Sequence, residues 1–256
     1  MKVFDVHTHP DKHVNGRLFN ELPDFFNYAR SLGVDRLMTL GDVLRYGQVP
    51  NEEQIREIND SSWSHLERYP HILTGLCFIN ALADEGFIRE EVYRCVRDGP
   101  FVGLKFEFPN AARKELDRVM PLAEELGVPV LQHSWDLTWN QQKDLQSDPR
   151  DVAVLARRYP RVKILMAHLT GSWLRGIHEV EDLPNVWVDT SGSQPFSSII
   201  EEAVRILGED RVLFGSDAPM RDLATQLGRI LAADISESAR AKVLYENAIQ
   251  LWGLDP

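Results

Sequence analysis

Only two cysteines occur among 256 residues, which leaves no material for a disulfide framework or a thiolate-built metal site. Cys77 in an apolar run and Cys95 in a helical one are expected as reduced, buried thiols. Long hydrophobic runs are missing as well. No stretch approaches the roughly 18 consecutive apolar residues of a membrane span. Basic residues are scarce, 28 Lys and Arg against 39 Asp and Glu, for a net charge of −11. That balance argues against a nucleic-acid or anionic-membrane surface, while leaving a small anionic substrate open. The opening residues do not read as a leader, since a strand pattern starts near residue 2, and a cytoplasmic location is expected.

What the chain does contain is alternation. Strand-like runs are expected at 2–9, 34–41, 72–80, 101–108, 128–134, 162–169, 185–192 and 211–217, with amphipathic helical stretches between them. Several helical stretches end on stop signals such as Tyr69-Pro70, Gly127, Tyr159-Pro160 and Gly208. Runs such as ILTGLCFIN and ILMA are apolar on both faces, as buried parallel strands must be. Eight such units over 256 residues, roughly 32 each, suit a single-domain (β/α)8 TIM barrel closed by a C-terminal helix or helix pair. The rival, an open doubly wound sheet, would usually carry a glycine-rich phosphate turn after the first strand. HTHPDKH is not one.

Barrel active sites sit at the C-terminal ends of the strands. Read in order, those ends supply His7 and His9, then Lys105 and Glu107, His133, His168 and Asp217. In FDVHTHP, strict alternation puts His7 and His9 on one face with Asp5, and Phe4 and Val6 on the other. The same rule puts Lys105 and Glu107 on one face of the fourth strand, with Leu104 and Phe106 toward the helices. Closure would bring Asp217 of the last strand beside the histidines of the first. Imidazoles and carboxylates together suit Zn2+ first, with Mn2+ or Fe2+ as alternatives, and an open coordination position would activate water. His13, His65, His71 and His178 fall elsewhere and read as solvated or packing residues.

FDVHTHP, VLQHS, ILMAHLTG, LFGSDAP and the terminal ENAIQLWGL together resemble the amidohydrolase superfamily, in particular its amidohydrolase-2 branch, which includes aminocarboxymuconate-semialdehyde decarboxylase-like enzymes. The resemblance runs from end to end. It implies that His7, His9 and His133 bind the metal with Asp217. It makes His168 a second-metal ligand in binuclear members, or an acid, base or polarising group in mononuclear ones. Strand four stays open. Glu107 is carried as a further candidate ligand, and Lys105 could be carbamylated, pair with Glu107 or Asp5, or reach a substrate carboxylate.

Lys12, Arg45, Trp135, Trp139 and Arg175 fall on or near loops at the expected mouth, where they could stack on a ring and grip a carboxylate, or simply pack. From these, Arg45 and Trp135 are taken as substrate-binding, together with Lys105 of the fourth strand. The expected partner is a small molecule, with a homodimer as an option. The main expectation is hydrolysis of an amide, lactone or ester by metal-activated water, with His168 and Asp217 as catalytic groups. Its alternative is a lyase: non-oxidative decarboxylation or hydration of a small unsaturated or aromatic acid. A non-catalytic metal-binding protein is the third reading, hard to reconcile with ligands arriving from four separate strands.

Overall fold

Short apolar runs form the strands: FDVHT, RLMT, ILM and VWVD are each almost wholly buried, because barrel strands are covered on both faces. The structure is a computed structural model and describes residues 1–10, 21–137, 144–194 and 196–256. Lys12, His13 and Trp139 lie outside the described residues. In chain order the strands are β1 (Phe4–Thr8), β2 (Arg36–Thr39), β3 (Leu73–Gly75), β4 (Cys77–Phe78), β5 (Leu104–Phe106), β6 (Val130–Gln132), β7 (Ile164–Met166), β8 (Val186–Asp189) and β9 (Val212–Leu213). All pairings are parallel, in the runs β1-β2-β3 and β4 through β9.

The expected third strand is therefore broken in two at Leu76. Leu76 N–H still donates to Thr39, on the β2 side, while Cys77 N–H donates to Gly103, on the β5 side. The chain changes partner within two residues, and the sheet curves there into a barrel. Closure follows between first and last strands, where Val6 N–H donates to Phe214 at 2.9 Å and Asp217 N–H donates to His7 at 2.8 Å. The fold is an α/β TIM barrel, as the alternation of elements predicts.

Two apolar layers hold it. Leu37, Leu104, Phe106, Ile164 and Val188 pack outward against the helices. Phe4, Val6, Met38, Leu131 and Leu213 fill the barrel floor together with Tyr245, Leu251 and Trp252 of the C-terminal segment. Full burial of each such side chain contributes about 1.5–3 kcal/mol. The tail is the expected helix pair, Glu237–Ala241 and Asn247–Trp252, joined through a π-helical turn. Both cysteines are free and buried. No helix among the described residues is long and apolar enough to cross a membrane.

Strand β1 departs from strict alternation. Phe4 and Asp5 align with Arg36 and Leu37, but Thr8 aligns with Thr39, so three steps on β1 match two on β2. The extra residue is a bulge. Because of it, Phe4 and Val6 belong to the barrel floor and His7 also serves the interior, whereas Asp5 turns to the backbone. Its Oδ1 accepts from His7 N–H and Ser216 N–H. The expectation that Asp5 stands behind the two histidines on their own face is corrected by this bulge.

Candidate metal centre

His7 and His9 end β1 with their rings 5.5 Å apart. Each has its Nδ1 occupied. His7 Nδ1 lies 2.8 Å from Asp189 Oδ2, and His9 Nδ1 lies 2.7 Å from the Gly41 carbonyl. A carbonyl or carboxylate can only accept, so both rings carry the proton on Nδ1 and turn Nε2 inward. Asp217 meets them there. Its Oδ1 stands 3.8 Å from His7 Nε2 and 3.7 Å from His9 Nε2. Those separations are long for hydrogen bonds but close to the roughly 3–4 Å between two ligands of one divalent ion.

The three donors lie within 4.8 Å of one another and all three residues are buried. Two imidazole nitrogens and one carboxylate oxygen fit Zn2+, Mn2+ or Fe2+. Asp217 sits at φ 62° and His168 at φ 64°, left-handed conformations that cost an L-residue about 1–2 kcal/mol. Both residues stand where their strands end and the chain turns into the mouth.

His168 and His133 complete the cluster of rings, with His168 4.7 Å from His7 and 4.9 Å from His133 between centroids. His133 lies outside the three-donor group; its Nδ1 is instead 3.2 Å from Glu107 Oε1. Glu107 Oε2 is 2.8 Å from Lys105 Nζ, a short ion pair without hydrogen-bond alignment. Leu104 and Phe106 do face the helices, so β5 alternates as expected of the fourth strand in sequence. Of the alternatives raised for Lys105, the observed contact is with Glu107.

Asp189 and Ser191 are the members that sequence reasoning left without a role. Asp189 Oδ2 holds His7, and Oδ1 accepts from the N–H groups of His168 and Ser191 at 3.1 and 3.0 Å and from the Ser191 hydroxyl. Ser191 Oγ in turn lies 2.9 Å from His168 Nδ1. Since the hydroxyl proton goes to Asp189, His168 donates from Nδ1 and keeps Nε2 as an acceptor. His7, His168 and Asp189 also form a second close group of possible ligands, but hydrogen bonds already account for it. The available signal was an acid at the C-terminal end of VWVD, the same rule that selected Asp217.

The mouth residues divide. Trp135 stands edge-on to His168 at 5.4 Å. Arg45 is on the surface, 3.2 Å from Glu57, and Arg175 grips Asp148 through both terminal nitrogens. Neither arginine joins the cluster. His178 pairs with Glu181 at the surface, in keeping with its solvated reading.

Burial sets the protonation. It holds His168 well below its ordinary value, helped by His7 and His133 nearby. Burial likewise takes His133 down to about 4 against the opposing pull of Glu107. It pushes Glu107 up, but His133 and Lys105 more than offset that and hold it at about 2. Burial would also lower His7, yet Asp189 wins and His7 is more basic than usual. A consequence follows for chelated protein. A histidine with a depressed folded pKa takes its proton only on unfolding, so stability is lost as pH falls from about 6.5 toward 4. For His133 alone, at about 4, the loss reaches roughly 3 kcal/mol at 1.36 kcal/mol per unit. Urea midpoints at pH 7 and 4.5 measure it, and His133→Asn is expected to flatten the slope.

The sequence matches the family model Amidohydro_2, described as Amidohydrolase, over residues 4–254; the chain belongs to this family. Among solved structures it is similar to 2,6-dihydroxybenzoate decarboxylase from Rhizobium, with a TM-score of 0.77 and 18% identity, covering 100% of this chain and 99% of that one. A dihydroxybenzoic acid decarboxylase from Polaromonas, holding manganese and the inhibitor 2-nitroresorcinol, matches at TM-score 0.73 and 18% identity over 98% and 96% of the two chains. 5-Carboxyvanillate decarboxylase from Sphingomonas paucimobilis matches at 0.71 and 18% over 94% and 85%. At such identities the likeness shows the fold. No curated protein matches the sequence.

Proposed function

We propose that this protein is a metal-dependent, non-oxidative decarboxylase of a small aromatic carboxylic acid. The observation that carries the reading is the buried group His7, His9 and Asp217, a donor set for one ion, beside Lys105 of β5, already paired to Glu107. Neither Lys105 nor Glu107 is then left to bridge a second ion. Decarboxylases with closely similar folds support the reading, and the manganese in one of them draws the preference for Zn2+ toward Mn2+.

His7, His9 and Asp217 would hold the ion, with His133 turned toward it by Glu107. When bound, the ion supplies a Lewis acid for the oxygens of the acid. Glu107 itself is assigned to positioning, because both its oxygens are engaged, by His133 and by Lys105. Asp217 is the proton carrier. The ring carbon that bears the carboxylate takes the proton, the carbon–carboxylate bond breaks, its electron pair stays with the ring, and CO2 leaves. Neutral His168, held through Nδ1 by Ser191, accepts a hydrogen bond from a ring hydroxyl through Nε2. Trp135 packs against the ring.

Hydrolysis of an ester, lactone or amide would use the same donors, and the family's name keeps it as the second reading. One experiment separates the two. Metal-loaded protein is offered 2,6-dihydroxybenzoate, 5-carboxyvanillate and related acids, with CO2 release followed, and a lactone and ester panel, with acid release followed. Metal content is measured by plasma mass spectrometry. CO2 release at about one metal equivalent per chain is expected. Acid release from lactones without CO2 from any aromatic acid overturns the proposal.

A further inference from the structure

Hydrogen bonds reach the ring of His168 at a single atom. Its Nδ1 lies 2.9 Å from the Ser191 hydroxyl oxygen, while Nε2, on the far side of the ring, has no hydrogen-bond partner among the described residues. Both residues are buried. The ring is flanked by His7, His133 and Trp135, with centroids 4.7, 4.9 and 5.4 Å away. The segment is tied down at its backbone too. His168 sits at φ 64°, and its N–H donates to Asp189 Oδ1 at 3.1 Å. Asp189 therefore holds His168 twice, directly at the backbone and through Ser191 at the ring.

Ser191 is the point of choice. Its hydroxyl has one proton to give and two acceptors beside it, the Asp189 carboxylate and His168 Nδ1. The two choices make opposite sites. Given to Asp189, the proton leaves His168 protonated on Nδ1, with Nε2 as an acceptor. Given to His168, it moves the ring proton to Nε2, which then becomes a donor. A bond to an ionised acceptor is the stronger of the two, so Asp189 takes it. His7 Nδ1, 3.3 Å from the same hydroxyl, has its own proton committed to Asp189 Oδ2 at 2.8 Å.

We propose that Ser191 is a positioning residue that decides which ligands the site prefers. By locking the His168 proton on Nδ1, it makes Nε2 a fixed acceptor. The site then favours an acid with a hydrogen-bond donor beside its carboxylate over one of the same shape with only an acceptor there. An acceptor placed against Nε2 would leave both groups buried and unpaired, which costs more than a formed bond contributes. The ligand preference rests on the decarboxylase reading of the same site; the tautomer does not.

The test reads the tautomer by nitrogen NMR of protein labelled with 15N-histidine and loaded with one equivalent of diamagnetic Zn2+, near pH 7. The His168 signals are those missing from His168→Gln. In the wild type the proton is expected on Nδ1. Ser191→Ala is expected to release it to a mixture with a large Nε2–H fraction, and Ser191→Thr, which keeps the hydroxyl, to hold it on Nδ1. Calorimetry then compares 2-hydroxybenzoate with 2-fluorobenzoate, whose fluorine is close to a hydroxyl in size but donates nothing. The wild type is expected to favour the hydroxy acid about tenfold or more, and Ser191→Ala less than about threefold. Thermal unfolding identifies the variants that are folded. Nε2–H in the wild type overturns the inference, whatever the variants do. So does one tautomer shared by the wild type and folded Ser191→Ala, or a ligand preference that survives a changed tautomer. If neither acid binds, the decarboxylase reading falls, and the tautomers of the two proteins alone decide for or against Ser191.

Discussion

Asp217→Asn is expected to lower turnover by roughly 10²–10⁴-fold at saturating metal, the usual worth of a positioned acid–base group, with little change in thermal stability. The substitution is nearly isosteric, and Asn is among the residues that tolerate the left-handed backbone best, which matters at φ 62°. The hydrogen bond from its own N–H to His7 is a backbone contact and survives. What changes is the side chain between the two imidazoles, which loses its charge and its capacity to carry a proton. Metal affinity should fall as well, so kcat is to be measured across a metal titration and extrapolated to saturation. A variant within tenfold of wild type at saturating metal would remove Asp217 from proton transfer and leave it a ligand only. Asp217→Ala, in contrast, is expected to lose stability too, because alanine has no local bond to offset the strained backbone.

The site was legible in the sequence to the extent that it follows from position along a strand. His7, His9, His133, His168 and Asp217 all stand where a barrel strand ends, and closure alone brings residues 7 and 217 together. Alternation sufficed for Lys105 and Glu107. What escaped depends on contacts across space. The bulge in β1 becomes visible only when residues are counted against β2, so Asp5 could not be placed from FDVHTHP itself. Asp189 is one strand-end acid among many until its carboxylate is seen on His7, 182 residues away. Arg45 was near the right mouth, but Glu57 on the following helix claims it.

The largest stability effect is expected at a residue that touches no solvent. Lys105 is 0% exposed and Glu107 6% exposed, so their ion pair is almost free of screening by water. Replacing Lys105 by Met removes one partner and strands the other, a change that costs about 3–5 kcal/mol in comparable buried pairs. For a chain of this size that corresponds to a fall of roughly 6–20 °C in melting temperature. The sign with pH is diagnostic. In the wild type the Glu107 carboxyl is held at about 2, below its ordinary range, so its contribution is present above about pH 4.5 and lost as pH falls toward 2. Without Lys105 the carboxyl rises instead, and the cost is that of an ionised buried acid. The deficit of Lys105→Met should therefore be greatest near pH 7 and narrow at pH 5, as Glu107 takes up a proton. Lys105→Met with Glu107→Leu should recover most of the loss, because an apolar pair of similar volume replaces a buried ion pair at little net cost. Urea unfolding of the two single variants and the double variant at both pH values gives the coupling directly. A single-variant cost below 1 kcal/mol at pH 7 would mean that Glu107 is balanced by something other than Lys105, with His133 at 3.2 Å as the remaining neighbour.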